Sequence, residues 1–228
     1  MLSGLAPVPF LTLALKNLPR TLAQALAALL LAAACAAGAA ERTVLVFGDS
    51  LSAAYGIAAR DGWVALLGER LARERPGWRV VNASVSGETT AGGLRRLPED
   101  LKRHGPAVVV IALGANDGLR GLPVEGTRAN LESMIRLSRA ARAEPVLVGL
   151  MIPPNYGIDY AREFRELFPD VARKSKVARV PFLLEGVAEN RDLFQADQLH
   201  PTAAAQPRIL ENVWPVLAPL LKRPPARP

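Results

Sequence analysis

The sequence predicts a three-layer α/β/α sandwich around a mainly parallel sheet of five strands. Three observations point there. Five short apolar runs recur along the chain without polar–apolar alternation, the pattern of strands buried on both faces. Between them lie longer stretches whose apolar residues recur at helical spacing. Strands alternating with helices make right-handed crossovers that cover both faces of one sheet.

The elements follow in order. TVLVF at 43–47 is the first strand, and Gly48-Asp49-Ser50-Leu51-Ser52 closes it with turn residues. Trp63, Val64, Leu66, Leu67 and Leu71 form the stripe of a first helix. RVVNA at 79–83 is the second strand, followed by a helix carrying Leu94, Leu97 and Leu101. AVVVIAL at 107–113 is the strongest strand signal, and Leu131, Met134, Ile135 and Leu137 mark the next helix. PVLVGLM at 145–151 is the fourth strand. The helix bearing Phe164, Leu167, Phe168 and Val171 is expected to break near Pro169, because proline has no N–H for the helical ladder. VPFLL at 180–184 is the fifth strand. The closing stripe of Ile209, Val213, Val216, Leu217 and Leu220 contains Pro215, so a kink or split is expected there.

Residues 1–40 read as a cleaved export signal, leaving 41–228 as one domain. Lys16 and Arg20 precede an apolar, alanine-rich run that is short for a bilayer span, and small residues follow at Ala37–Ala40. No acidic residue occurs before Glu41. The expected location is periplasmic or secreted. A lipoprotein anchor at Cys35 is the alternative, on a poor acylation motif of three alanines. Removal of the segment takes away the chain's one cysteine, and with it disulfides, a thiol nucleophile and thiolate metal ligands.

The chain is basic, with a formal net charge of +7. The positive charge lies on helical faces such as Arg70, Arg73 and Arg75, or Arg136, Arg139 and Arg142. Aromatic residues make up only 5% of the chain, which leaves few platforms for stacking bases, so no nucleic-acid partner is expected. A weak association with an anionic membrane surface fits the charge better.

In a parallel sheet of this kind, ligands bind beyond the carboxyl ends of the strands. Four segments leave strand ends, at 48–52, 84–88, 114–117 and 153–157, so functional residues should meet on one rim. Ser50 alone reads better as a helix cap than as a nucleophile. A nucleophilic serine needs a base, and the chain has two histidines. His104 ends a helix on the opposite rim, where a cation complements the carbonyl dipole, and is read as structural. His200 stands three residues after Asp197, a spacing that lets the carboxylate hold Nδ1–H and leaves Nε2 to take a proton. Gly87 and Asn116, at the ends of the second and third strands, add a backbone and a side-chain donor. With the Ser50 N–H they offer three donors to a developing oxyanion.

Together these residues resemble the SGNH (GDSL) hydrolase superfamily, whose four blocks contribute serine, glycine, asparagine and histidine. The blocks occur in order as GDSLS around Ser50, ASVSGET around Gly87, GAND around Asn116, and Asp197 with His200. VVNAS at 80–84, NDGLRG at 116–121 and PNYG at 154–157 are similar to the exported TesA-like subgroup of acyl-CoA thioesterases, lysophospholipases and arylesterases. The resemblance implies a flavodoxin-like sheet, a shallow site, and hydrolysis of single-chain acyl esters and thioesters without a metal or cofactor. It also implies a loop at 118–122 that moves over the acyl chain. Leu119, Leu122 and Ile158 are the expected apolar contacts for that chain. Glu88 stands where an aspartate is common and Ala115 where a second glycine is. A carbohydrate O-deacetylase of the same fold, and a non-catalytic envelope lipoprotein, are the rival readings.

Overall fold

The computed structural model describes residues 41–221. The expected export signal and Cys35 lie outside the described residues.

Five strands form one parallel sheet: β1 (Arg42–Gly48), β2 (Trp78–Asn82), β3 (Val108–Ala112), β4 (Glu144–Val148) and β5 (Ala178–Val180). Their order across the sheet is β2-β1-β3-β4-β5, the flavodoxin-like order expected from the resemblance. β1 and β3 pair along Val44–Gly48 against Val108–Ala112, and both are buried on both faces, which is why neither alternates in sequence. Chain direction reverses its walk across the sheet between these two strands, opening a crevice at their carboxyl ends.

Two layers of helices cover the sheet. One holds α1 (Trp63–Glu74) and α6 (Gln206–Leu217), which pack on each other. The other holds α2 (Thr90–His104), α4 (Val124–Ala140) and α5 (Ile158–Ser175), packed in that sequence. A single short helix, α3 (Ala115–Leu119), sits at the end of β3. The stripes predicted for the long helices are their buried faces: Trp63, Leu67 and Leu71 on α1, and Leu131, Met134 and Ile135 on α4.

Four local expectations are corrected. Strand five is shifted, since only Val180 of 180–184 lies in β5. Pro181 has no N–H for the ladder, and the chain turns there, with Leu183 N–H donating to Gly149 O at 3.0 Å. β4 correspondingly ends at Val148 rather than Met151. α5 runs through Pro169 unbroken, because Phe164, Leu167, Phe168 and Val171 anchor it to the core on both sides of the missing hydrogen bond. At Pro215 the final helix does not split: α6 continues to Leu217 and passes into a 3₁₀ turn at Ala218–Leu220.

His104 ends α2 at the amino edge of β3, with Gly105 as its left-handed cap and Nε2 3.9 Å from Asp100 Oδ1. It takes the structural place expected of it.

Candidate active site

The turn after β1 carries Ser50. Asp49 bends it by accepting Leu51 N–H on Oδ1 at 3.0 Å, while Ser52 and Ala53 N–H donate to Asp49 O. No helix follows directly; the chain passes through turns before α1 begins at Trp63. The body of the protein braces this turn from beneath. The buried Trp63 indole N–H donates to Leu51 O at 3.1 Å, and Asn82 Nδ2 donates to Ser52 O at 2.8 Å. A buried tryptophan with its one polar atom satisfied packs and anchors at once.

His200 reaches Ser50 from the far end of the chain. Its Nε2 lies 2.9 Å from Ser50 Oγ, and its Nδ1 lies 2.7 Å from Asp197 Oδ2. Asp197 Oδ1 also accepts the backbone N–H groups of Leu199 (2.9 Å) and His200 (3.0 Å). The His200 backbone N–H, then its ring, then the Leu199 N–H hold the Asp197 carboxyl down to about 2. Asp197 therefore stays ionised at neutral pH and keeps the imidazole in the tautomer that leaves Nε2 free to accept. The histidine does not sit at a helix start: Pro201 pairs with Phe194 in a β-bridge, and a 3₁₀ turn at Ala203–Ala205 precedes α6.

Gly87 and Asn116 lie on the same rim. Gly87 has φ +78°, a conformation that costs other residues, and its carbonyl accepts from Arg120 Nη2 at 3.0 Å. Among the described residues nothing accepts from the Ser50 or Gly87 backbone N–H. Asn116 is different, because its Nδ2 donates to Glu88 O at 3.0 Å and to Asp49 Oδ2 at 3.3 Å. Both amide hydrogens thus have protein partners, and donation to a substrate oxygen requires release of the longer bond.

Next to these groups, Asp117 ties the rim together. Its buried carboxylate accepts Thr90 N–H at 2.8 Å and Thr90 Oγ1–H at 2.5 Å, fastening the start of α2 to α3. Glu88, the departure noted in the sequence, pairs with Arg96 at 3.0 Å.

A cavity of about 570 Å³ opens beside Ser50 and His200. Of the expected acyl contacts, Leu119 lines it and Leu122 and Ile158 do not. Leu122 falls beyond the end of α3, with its carbonyl held by the Tyr160 hydroxyl, and Ile158 is the outward-facing first residue of α5, 76% exposed. The apolar walls come instead from Met151, Ile152, Phe182, Leu184, Phe194 and Leu199. For Met151, Phe182 and Leu184 the signal in sequence was the apolar ends of the fourth and fifth runs, read as strand when they are the segments leaving the sheet; Ile152, Phe194 and Leu199 lie outside those runs.

A family model described as "GDSL-like Lipase/Acylhydrolase family" matches residues 46–207. The chain belongs to that family. It is a serine hydrolase. Among curated proteins it is 54% identical to the esterase TesA of Pseudomonas aeruginosa, over 80% of this chain and 91% of that protein. It is 40% identical to thioesterase 1/protease 1/lysophospholipase L1 of Escherichia coli K12, over 80% of this chain and 86% of that one. Among solved structures, the psychrotrophic esterase EstA from a Pseudoalteromonas species, inhibited by monoethylphosphonate, superposes with a TM-score of 0.75 at 40% identity. That match covers 80% of this chain and all of EstA.

Asp49 yields a prediction of its own. Burial pushes its carboxyl up to about 7, against the lowering effects of the Leu51 N–H and of His200. Between the ordinary value of 3.8 and about 7 the folded protein holds a proton that the unfolded chain has released. Asp49 therefore costs stability progressively as pH rises across that window. Asp49→Asn keeps an oxygen for Leu51 N–H and removes the titration. The melting temperature of the variant relative to the wild type should rise from about pH 4 to about pH 7, and a difference independent of pH contradicts the assignment.

Proposed function

We propose that this protein is an exported esterase and thioesterase that hydrolyses single-chain acyl esters, lysophospholipids and aryl esters through an acyl-enzyme on Ser50. The observation that carries the reading is the continuous hydrogen-bonded line from Asp197 through His200 to Ser50, ending at an apolar cavity. The names of its relatives, esterase, arylesterase and thioesterase/lysophospholipase, support the substrate class.

In this mechanism the Ser50 hydroxyl attacks the acyl carbonyl as His200 Nε2 takes its proton. Asp197 stabilises the imidazolium that forms. The negative charge on the carbonyl oxygen is met by the Ser50 and Gly87 N–H groups, and by the Asn116 amide as it exchanges its 3.3 Å bond to Asp49 for the oxyanion. The imidazolium then protonates the departing alcohol or thiol. Water, activated by the same imidazole, releases the fatty acid and restores Ser50. Asp49 is the brace of the turn and not a base, because its carboxylate faces Leu51 N–H and Asn116.

The cavity favours an acyl chain over an acetylated sugar. Aliphatic and phenyl side chains make most of its wall, with Glu189, Arg191 and Gln198 as polar members beside the catalytic groups, and that apolar share suits a single alkyl chain better than a sugar. Export and a weak attraction to anionic membranes belong to the same reading, motivated by the N-terminal pattern and the basic charge.

The wild-type protein should turn over p-nitrophenyl decanoate and a decanoyl thioester well and acetyl-xylan poorly. Ser50→Ala should abolish the first two activities with the fold intact by circular dichroism. Retained turnover in that variant would place the nucleophile elsewhere. Asn116→Ala should lower kcat by about 10²–10³-fold with a much smaller change in KM, as loss of one oxyanion donor does. An unchanged kcat removes Asn116 from that role. Mass spectrometry of the protein from cell-envelope and periplasmic fractions should give a mature chain beginning near Glu41; an intact Met1 would refute the export reading, and a diacylated Cys35 would replace the soluble exported form by a membrane-anchored one.

A further inference from the structure

Ser50 and His200 meet across 150 residues, and each sits on a loop without regular structure. Their own contact does not hold the loops in register, because it is lost whenever Ser50 is acylated. The turn of Ser50 is braced to the protein body through Leu51 O and Ser52 O, and the Trp63 brace reaches the histidine side only indirectly, through Gln206, which accepts Trp63 N–H and donates to Thr202 O.

One side chain spans the two loops. Gln195 Nε2 donates to Tyr55 O at 2.8 Å on the serine turn and to Pro201 O at 3.1 Å, the residue after His200. Its backbone closes the histidine loop as well: Gln195 N–H donates to His200 O at 2.8 Å, and Gln198 N–H to Gln195 O at 2.9 Å. Among the described residues, Gln195 to Tyr55 and His200 to Ser50 are the side-chain hydrogen bonds that link these loops.

The packing around this amide is close. The Tyr55 ring, whose carbonyl Gln195 holds, lies 4.4 Å from the His200 ring at an interplanar angle of 41°. The next residue, Gly56, has φ +74°, and a Cβ there would stand 2.0 Å from Gln195 Oε1. Movement of the amide is thus transmitted to both the serine turn and the imidazole.

We propose that Gln195 is a positioning residue that sets the Ser50–His200 distance by clamping Tyr55 O and Pro201 O with its two amide hydrogens. The inference rests on the reading of Ser50 as nucleophile and His200 as base. Its effect falls on the proton-transfer geometry of each half-reaction, and not on the acyl cavity, whose walls it does not form.

The test compares Gln195→Met, which keeps length and removes the donors, with Gln195→Lys, which is one bond longer and restores donors. Both are made in the full chain, and the rate is expressed per site titrated with a fluorophosphonate. With Met, kcat per titrated site should fall about tenfold to a hundredfold while KM stays within about twofold, the signature of misplaced reacting groups. The Lys variant should recover most of that loss. A merely structural role would lower the number of titratable sites and leave the rate of each unchanged. A Met variant with wild-type kcat per site, or a Lys variant as slow as the Met one, overturns the proposal. Should the Met variant fail to fold, Gly56→Ala drives a methyl against Gln195 Oε1 and should give the same fall in kcat; an unaltered kcat per site overturns the clamp equally. Wild-type protein that carries no fluorophosphonate on Ser50 overturns the nucleophile assignment and this inference together. Labelled wild type with an unimpaired Met variant sinks only the inference.

Discussion

The 2.9 Å approach of His200 Nε2 to Ser50 Oγ is the contact on which the site depends, and the parallel sheet makes it available. Every strand points the same way, so every segment leaving a strand emerges on one rim. The histidine then needs only a final loop that returns across that rim. Asp197 supplies the loop's internal order, because one carboxylate oxygen meets two backbone N–H groups while the other meets the imidazole. The carboxylate that selects the tautomer thus also shapes the turn on which the imidazole sits.

The remaining site groups are fixed by polar contacts between strand ends that are neighbours in the sheet. Asn116 bonds to Glu88 O, Arg120 to Gly87 O, and Asp117 to Thr90, so α3 and the residue that caps it hold the Gly87 turn and the start of α2 at three points. β1 lies between β2 and β3, which places the serine turn between these two loops. A hydrogen-bond network of this density stores order before substrate arrives, which is what an oxyanion site requires. The Asn116–Asp49 bond is the exception, since at 3.3 Å it is the longer of the two bonds the amide makes and the one more readily exchanged.

Much of this was legible in the chain itself. The five apolar runs named the strands because burial on both faces removes alternation, and the two-histidine count singled out His200. What stayed hidden was set by geometry that sequence spacing does not carry. The apolar tails at 149–151 and 181–184 look like strand, yet Pro181 ends the pairing and turns those residues into cavity wall. Leu122 and Ile158 have the right chemistry for an acyl contact, but one lies past the α3 turn and the other on the outer face of α5. Pro169 would break an isolated helix, whereas the buried Phe168 before it and Val171 after it hold α5 in place. Gln195 carried no signal at all, because its meaning lies in two carbonyl oxygens of different loops.

The most direct test of the account is a crystal structure of the protein after reaction with an alkyl phosphonate ester, which mimics the tetrahedral intermediate. The account predicts phosphorus bonded to Ser50 Oγ and His200 Nε2 near the leaving-group oxygen. It further predicts a phosphoryl oxygen roughly 2.7–3.1 Å from Ser50 N, Gly87 N and Asn116 Nδ2, with the Asn116–Asp49 bond lengthened. Phosphorus on another residue, or an oxygen turned away from those three donors, would contradict it.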